Sequence, residues 1–366
     1  MAIKHGIKIG IVGNRLVPFN EAYANQMRVL SEELDARVIT CNDIGWIPFR
    51  RMGRYFVINT KFLMKRTLVL SFINGLFFYI FVKLYERKFD VILLSAGVES
   101  EFLNYLNLKK CIPILSTIDD EAKAKKFASE VAPKLKRIMV QSKRIEDELI
   151  SYGVDSDKIR FMYPIVDFKK FRYTDPPSPD NFKILFASAP NIEDLAENNS
   201  EAKGVPLLLE SFKEFVNNHE AMLYIIWRDK YNKELGEIIK ELGLEDCVRV
   251  VNKVVNMEEW YAKTHITVIP YTSGWRSPQY PLSALESLAC GRPVVTTDVI
   301  ELAELIREYG CGCVVKPLKN NLVRALEECR ENYLNHQKRC KETYGKLFRA
   351  NLDRFKEFFY ESSSNI

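Results

Sequence analysis

Strand and helix signals alternate along most of the chain, and this alternation is what most limits the folds open to it. Short apolar runs rich in β-branched residues, such as 8–12 (KIGIV) and 183–188 (KILFAS), precede stretches in which apolar residues recur every three or four positions. A chain that interleaves strands with helices folds as a parallel sheet with helices on its faces. The sequence therefore predicts a doubly wound α/β structure.

A proline-rich segment divides this pattern into two halves of similar size. Residues 174–181 read TDPPSPDN, which suits a linker, and the alternation restarts immediately after them. At roughly 150 residues per domain, 366 residues make about two domains. We therefore predict Rossmann-like domains over 1–173 and 182–345. If their sheets face each other, the cleft between them is the expected ligand site.

Composition and missing motifs exclude several classes of protein. With 53 basic and 48 acidic residues the net charge is only +5, which gives no reason to expect nucleic acid as a partner. The eight cysteines form no C-x-x-C pair and the four histidines are isolated, so we predict no metal site. The chain lacks a G-x-G-x-x-G run, a P-loop and a G-x-S-x-G elbow. With no signal peptide at its start, we expect a cytoplasmic protein.

The segment 270–295, PYTSGWRSPQYPLSALESLACGRPVV, is the most distinctive part of the chain. It reads as a strand end, a polar loop, a helix and a turn into the next strand. The first N–H groups of that helix, at Leu282 and Ser283, would point toward an anion. Glu286 would then accept hydrogen bonds from sugar hydroxyls. The alternative is an ordinary helix start with an exposed glutamate.

This segment resembles the donor-binding segment of GT-B glycosyltransferases of family 4, the group 1 enzymes. Residues 285–295 match the second half of the family pattern EGFGLPxLEAMACGxPVV, in which two glutamates stand in an E-x7-E arrangement. Glu286 takes the place of the second glutamate, which contacts the nucleotide ribose, while Pro278 replaces the first. Residues 203–212 are similar to EKGxxxLLEAF, in which the lysine, here Lys203, binds the donor diphosphate. The resemblance covers about residues 158–318.

The resemblance implies two Rossmann-like domains facing across a cleft, with a C-terminal helix, 346–366, crossing back to the first domain. The C-terminal domain would bind a nucleotide-diphosphate sugar, and the N-terminal domain a glycan, lipid-linked or small-molecule acceptor. Transfer would retain the anomeric configuration and use no metal. An arginine that the family places after a strand is absent here. Arg228 and Arg276 are candidate substitutes for it, with ordinary surface arginines as the alternative.

The N-terminal half offers two weaker candidate sites. Gly13 and Asn14 follow the first strand, where the family has a flexible loop that reaches the donor; the alternative is a plain strand–helix turn. Asp119 matches the aspartate of the family's "tvHD" pattern, although Ile118 replaces its histidine. Adjacent carboxylates at Asp119 and Asp120 are equally compatible with a solvated helix N-cap.

An apolar stretch raises the question of membrane contact. Residues 67–82 contain no charge, and basic residues flank them within 61–88. The stretch is shorter than the ~20 residues of a spanning helix. A helix buried against the sheet, a peripheral contact with the cytoplasmic face of a membrane, and a full span all remain open. Membrane contact would favour a lipid-linked acceptor.

Two further functions compete with glycosyl transfer. The substitutions at Pro278 and Ile118 and the missing arginine are also compatible with a catalytically degenerate subunit that keeps the fold and binds a partner. A sugar-nucleotide epimerase is the other alternative, but it needs histidines that the sequence does not supply at suitable places. Nucleotide binding separates the enzyme from the degenerate subunit.

Overall fold

The computed structural model describes residues 7–14, 16, 22–42, 49–59, 83–95, 97–98, 103, 106–178, 181–188, 202–227, 233–274 and 277–364. Its internal contacts divide the chain into two units. The first unit comprises Met1–Ile165 together with Asn351–Ile366, and the second comprises Val166–Ala350. The boundary lies before the proline-rich segment 174–181, because residues of that segment bond within the second unit.

The first unit is built on an eight-stranded sheet with the strand order β3-β4-β2-β1-β5-β6-β7-β8. β3 and β4 pair antiparallel, and the remaining neighbours are parallel. The strands are β1 (Ile9–Asn14), β2 (Arg37–Asn42), β3 (Phe49–Met52), β4 (Tyr55–Asn59), β5 (Val91–Ser95), β6 (Cys111–Leu115), β7 (Ile138–Val140) and β8 (Ile159–Phe161).

Helices cover this sheet and contribute to apolar clusters among its described residues. The described helices are α1 (Ala22–Glu33), α2 (Glu121–Lys126) and α3 (Lys143–Ser151). The final helix α10 (Tyr333–Ser364) ends in the first unit. There, Phe355, Phe358 and Phe359 join the cluster that contains the buried residues of β1 and α1.

The second unit is built on a six-stranded, fully parallel sheet with the order β11-β10-β9-β12-β13-β14. Its strands are β9 (Phe182–Phe186), β10 (Ala221–Ile226), β11 (Val248–Val251), β12 (Ile266–Ile269), β13 (Val294–Thr297) and β14 (Gly312–Val315). The chain runs outward from β9 in one direction and resumes at β12 in the other. The carboxyl ends of β9 and β12 therefore form a topological switch point, the usual ligand site of such sheets.

Among its described residues, the helices that flank the second sheet are α4 (Val205–Val216), α5 (Lys233–Glu241), α6 (Met257–Lys263), α7 (Leu282–Ala289), α8 (Leu302–Tyr309) and α9 (Lys319–Glu331). The central strands are buried on both faces, since every residue of β12 and β13 is buried. Burial on both faces is what helices covering a parallel sheet produce. The prediction of two doubly wound α/β halves is confirmed.

Among the helices within the described residues, none combines the length and apolar character that crossing a membrane requires. The apolar stretch 67–82 lies outside the described residues. The three interpretations of that stretch therefore stay predictions.

Candidate functional site

Three polar side chains meet at the switch point of the second sheet. Ser188 follows β9 and Tyr271 follows β12, and their hydroxyl groups form a hydrogen bond. The Lys203 ammonium donates to the Tyr271 hydroxyl at 3.3 Å and lies 4.4 Å from the centre of its ring. Lys203, a predicted site residue, thus lies where a doubly wound sheet binds ligands. The Ser188 and Tyr271 hydroxyls beside it were not predicted from the sequence.

The backbone around Lys203 is held by the end of β12. Gly204 adopts a left-handed conformation (φ 71°) as the N-cap of α4. A Cβ at this position would lie 1.7 Å from the Pro270 carbonyl oxygen, so only glycine fits. The Thr272 N–H donates to the Ala202 carbonyl at 3.0 Å. These contacts fix the point from which the Lys203 side chain starts.

Tyr271 is a rigid partner for this lysine. Its side chain is only 1% exposed, and the Thr297 hydroxyl at the end of β13 donates to its carbonyl. Lys203 itself is half-buried. An ammonium with an aromatic face on one side can contact an anion that approaches from the other.

The amino-terminal end of α7 adds backbone donors to the second unit. Pro281 is the N-cap, and no side chain of the described residues caps the helix. The Ala284 and Leu285 N–H groups bond back to the Pro281 carbonyl. The Leu282 and Ser283 N–H groups stand at the first turn, where a helix presents donors to an anion.

Glu286 lies on α7 but does not project into solvent. It is 6% exposed, so the alternative of an ordinary exposed glutamate is wrong. The Tyr261 hydroxyl donates to the Ser283 carbonyl at 2.9 Å and is hydrogen-bonded to Glu286 Oε2 at 3.1 Å. Burial raises the pKa of Glu286 to about 8, and the Tyr261 hydrogen bond offsets only part of this. Burial therefore favours the neutral form of Glu286.

Charged groups at the start of the second unit surround this carboxyl. Asp167 accepts from the Lys169 and Lys170 N–H groups at 3.0 and 3.2 Å, and the Lys170 ammonium pairs with Glu258 at 3.2 Å. Lys170 lowers the pKa of Glu286, whereas Asp167 and Glu258 raise it. These charges act on the pKa of Glu286 in opposite directions. Burial is the largest cause of its rise.

Arg292, in the turn after α7, locks these elements together. It is 0% exposed, and its guanidinium donates to the Tyr261 carbonyl at 2.7 Å and to the Thr174 hydroxyl at 2.6 Å. It also donates to the Asp175 carbonyl at 2.8 Å. The segment that the sequence analysis interpreted as a linker is therefore anchored to α6 and α7 at its start, which explains why it belongs to the second unit.

Gly13 and Asn14 lie at the switch point of the first sheet, between β1 and β5. A Cβ on Gly13 would lie 3.1 Å from the Leu16 side chain and 3.2 Å from the Ser95 carbonyl oxygen, so a tight packing contact already accounts for a glycine here. Asn14 is the last residue of β1. Both residues thus lie at the carboxyl end of β1 and not beyond it, where the sequence predicted them, and this end is where a doubly wound sheet receives a ligand.

Asp119 and Asp120 have different surroundings. Asp120 is the N-cap of α2, and its carboxylate accepts from the Lys123 N–H at 3.0 Å, as the capping alternative requires. Asp119 is exposed, with the Thr117 hydroxyl 3.5 Å from its carboxylate. A role for Asp119 stays a prediction.

The two substitute arginines, Arg228 and Arg276, lie outside the described residues. Three neighbours of the candidate site were missed from the sequence: Ser188, Tyr261 and Tyr271. Ser188 and Tyr271 each stand within two residues of a strand end, so the rule that ligands bind at carboxyl ends would have found them. Tyr261 stands in a stretch that resembles the family, but its contact with Glu286 depends on the packing of α6 on α7.

Residues 195–332 match the family described as group 1 glycosyl transferases. This region lies within the second unit and includes Lys203, Tyr271 and Glu286. A D-inositol 3-phosphate glycosyltransferase of Paenarthrobacter aurescens is 30% identical over 190 residues, which are 49% of this chain and 45% of that protein. A protein of the same description from Pseudarthrobacter chlorophenolicus is 28% identical over 233 residues, 56% of this chain and 53% of its own. The matches thus span about half the length of these relatives.

Solved structures match the chain over nearly its whole length. Sucrose-phosphate synthase of Thermosynechococcus elongatus has a TM-score of 0.76 at 15% identity, covering 98% of this chain and 100% of that one. Anabaena HepE, crystallised with UDP and glucose, has a TM-score of 0.73 at 13% identity, covering 97% and 100%. At this level of identity the similarity concerns the fold. The chain has the GT-B fold, and the resemblance of its second unit to group 1 glycosyl transferases is confirmed.

Proposed function

We propose that this protein transfers a sugar from a nucleotide-diphosphate donor to an acceptor hydroxyl, with retention of the anomeric configuration. The observation that carries the proposal is the position of Lys203. It lies beside Tyr271 and Ser188 at the switch point of the second sheet, inside the region that matches group 1 glycosyl transferases. The relatives named as glycosyltransferases and the fold neighbour crystallised with UDP and glucose support the same class of donor.

In this proposal the diphosphate binds between a cation and backbone donors. Lys203 supplies a fixed positive charge, and the Leu282 and Ser283 N–H groups supply donors at the start of α7. Charge that develops on the leaving diphosphate is stabilised most by groups already in place, because they need no reorganisation during reaction. Arg228 and Arg276 stay candidates for a second cation. No metal cofactor is assigned to this step.

The chemistry requires one bond to form and one to break. The acceptor oxygen bonds to the anomeric carbon as the bond from that carbon to the β-phosphate oxygen breaks. The acceptor proton passes to the departing phosphate oxygen on the same face, which yields retention. Such a front-face reaction needs no nucleophile from the protein, and the resemblance to the family implies this course.

We assign the acceptor to the first unit, with Gly13, Asn14 and Asp119 as its candidate contacts. The acceptor class stays open between a glycan, a lipid-linked and a small-molecule hydroxyl, and a cytoplasmic site of action is part of the proposal. The stretch 61–88 would bring the protein to the cytoplasmic membrane face if the acceptor is lipid-linked. Flotation with vesicles containing anionic lipid tests that contact, and protein that stays at the bottom of the gradient contradicts it.

The test is release of nucleoside diphosphate from UDP-, GDP-, ADP- and dTDP-sugars, with and without added Mg²⁺. We expect one nucleotide class to react without Mg²⁺, and Lys203→Ala to lower kcat/KM by roughly 10- to 100-fold, the loss of one charge-assisted contact. Lys213→Ala changes an exposed lysine of α4 and is the matched control. NMR of the product's anomeric carbon reads the configuration, and inversion would contradict the proposed course.

A catalytically degenerate subunit is the second candidate, and two observations favour it. Pro278 replaces the first glutamate of the family pattern, and Glu286 is buried, which raises its pKa. A protein of this kind would release no nucleoside diphosphate from any donor. It would instead bind a partner protein.

A further inference from the structure

We propose that Cys313, Cys329 and His336 form a binding site for a thiophilic divalent ion of the zinc class. The three side chains offer two sulfurs and one imidazole nitrogen, and these atoms all lie within 4.8 Å of one another. They come from β14, α9 and α10, so no short sequence motif contains them. This is why the spacing of cysteines and histidines predicted no metal site.

The separation of the ligand atoms suits a tetrahedral ion. Zn–S and Zn–N bonds of about 2.3 and 2.05 Å at a tetrahedral angle place the sulfur and nitrogen about 3.6 Å apart. Cys313 Sγ lies 3.8 Å from His336 Nε2. The distance between Cys313 Sγ and His336 Nε2 is therefore close to the distance between two ligands of one tetrahedral ion.

The orientation of His336 is already that of a metal ligand. Its Nδ1 lies 2.9 Å from the Gly310 carbonyl oxygen. Gly310 ends α8 in a left-handed conformation (φ 62°), which fixes the direction of that carbonyl. A proton held on Nδ1 leaves the lone pair of Nε2 directed at Cys313, and a carbonyl in this position is a typical outer-shell partner of a ligating histidine.

The two sulfur ligands are shielded from solvent. Cys313 is 5% and Cys329 0% exposed, so water competes little for the ion. His336 is only half-buried, so the site approaches the surface on its side.

The site is distinct from the one proposed for the sugar donor. Cys313 is the second residue of β14 and pairs with Val295. It therefore lies toward the amino-terminal end of that strand, whereas Lys203 and Tyr271 lie at carboxyl ends. A bound ion would join β14, α9 and α10, so we expect it to stabilise the second unit without taking part in transfer.

The experiment uses the full chain, reduced and freed of metal, dialysed against Zn(II) alone. We expect one zinc per chain. Cys329→Ser and His336→Asn should each weaken binding by more than the roughly 100-fold that loss of an outer-shell partner can cost. Cys111→Ser, which changes a buried thiol of the first unit, should bind like the wild type. Equal binding by the wild type and both ligand variants would overturn the proposal.

A second measurement needs no variant, so it holds even if a substitution prevents folding. Zn(II) should slow alkylation of Cys313 and Cys329 in the folded wild type by at least about tenfold, and leave Cys111 unchanged, as ligation ties up the thiolate. Co(II) in the same site should give a thiolate-to-metal charge-transfer band. Unchanged alkylation of Cys313 and Cys329 would contradict the site.

Discussion

At the scale of single residues, the protonation of Glu286 is set by what surrounds it and not by its position on a helix. The sequence identified this glutamate through its place in the segment 285–295, but its burial against Tyr261 depends on how α6 packs on α7. A protonated carboxyl can donate as well as accept a hydrogen bond. Its interaction with a sugar hydroxyl would therefore differ from that of a carboxylate.

This protonation predicts a pH dependence of stability. Because the pKa of Glu286 rises from 4.5 to about 8 on folding, its contribution is fully present below about pH 4.5 and is lost as the pH rises through 8. We expect the free energy of unfolding of the wild type to fall by a few kcal/mol relative to Glu286→Gln across this window. Urea unfolding at several pH values measures it, with Glu241→Gln, at an exposed site on α5, as control.

If the free energies of unfolding of the wild type and Glu286→Gln change equally with pH, the burial of a neutral carboxyl is contradicted. A wild type that gains stability relative to the variant as the pH rises would mean that Glu286 is ionised in the folded protein.

At the scale of elements, the start of α4 and the end of β12 form one structural unit through Gly204. The glycine is left-handed, and its α-carbon lies against the Pro270 carbonyl. Its place beside Lys203 was visible in the sequence, since the resemblance includes a lysine–glycine pair. The close approach to Pro270 was not, because it joins residues 66 positions apart.

We expect Gly204→Ala to destabilise the protein by more than the roughly 1–3 kcal/mol that a strained backbone conformation alone costs. Gly243→Ala is the matched control, since Gly243 has a similar φ of 65° but its added Cβ would meet no atom within 4 Å. Thermal or urea unfolding of both variants gives the comparison. Equal losses of stability would show that Pro270 moves away at little cost.

At the scale of the whole molecule, the alternation of strands and helices was enough to predict two doubly wound sheets. The spacing of apolar residues within each segment is sufficient to indicate a strand or a helix. The residue at which the second unit begins was harder to predict from the sequence. Thr174 and Asp175 read as linker residues, yet they bond to the buried Arg292, more than 110 positions away. The cluster of Cys313, Cys329 and His336 was missed for the same reason, since only the folded chain brings its members together.

The central claim is that the second unit holds a nucleotide diphosphate at Lys203. The most direct measurement is the stability of the protein against UDP, GDP, ADP and dTDP, each in excess. A nucleotide at 100 times its dissociation constant should add about 2.7 kcal/mol to the free energy of unfolding of the wild type. If Lys203→Ala binds the nucleotide tenfold more weakly, the same concentration should add only about 1.4 kcal/mol. The account predicts this pattern for one nucleotide class, with Lys213→Ala like the wild type. No stabilisation by any nucleotide, or equal stabilisation of Lys203→Ala and the wild type, would contradict it.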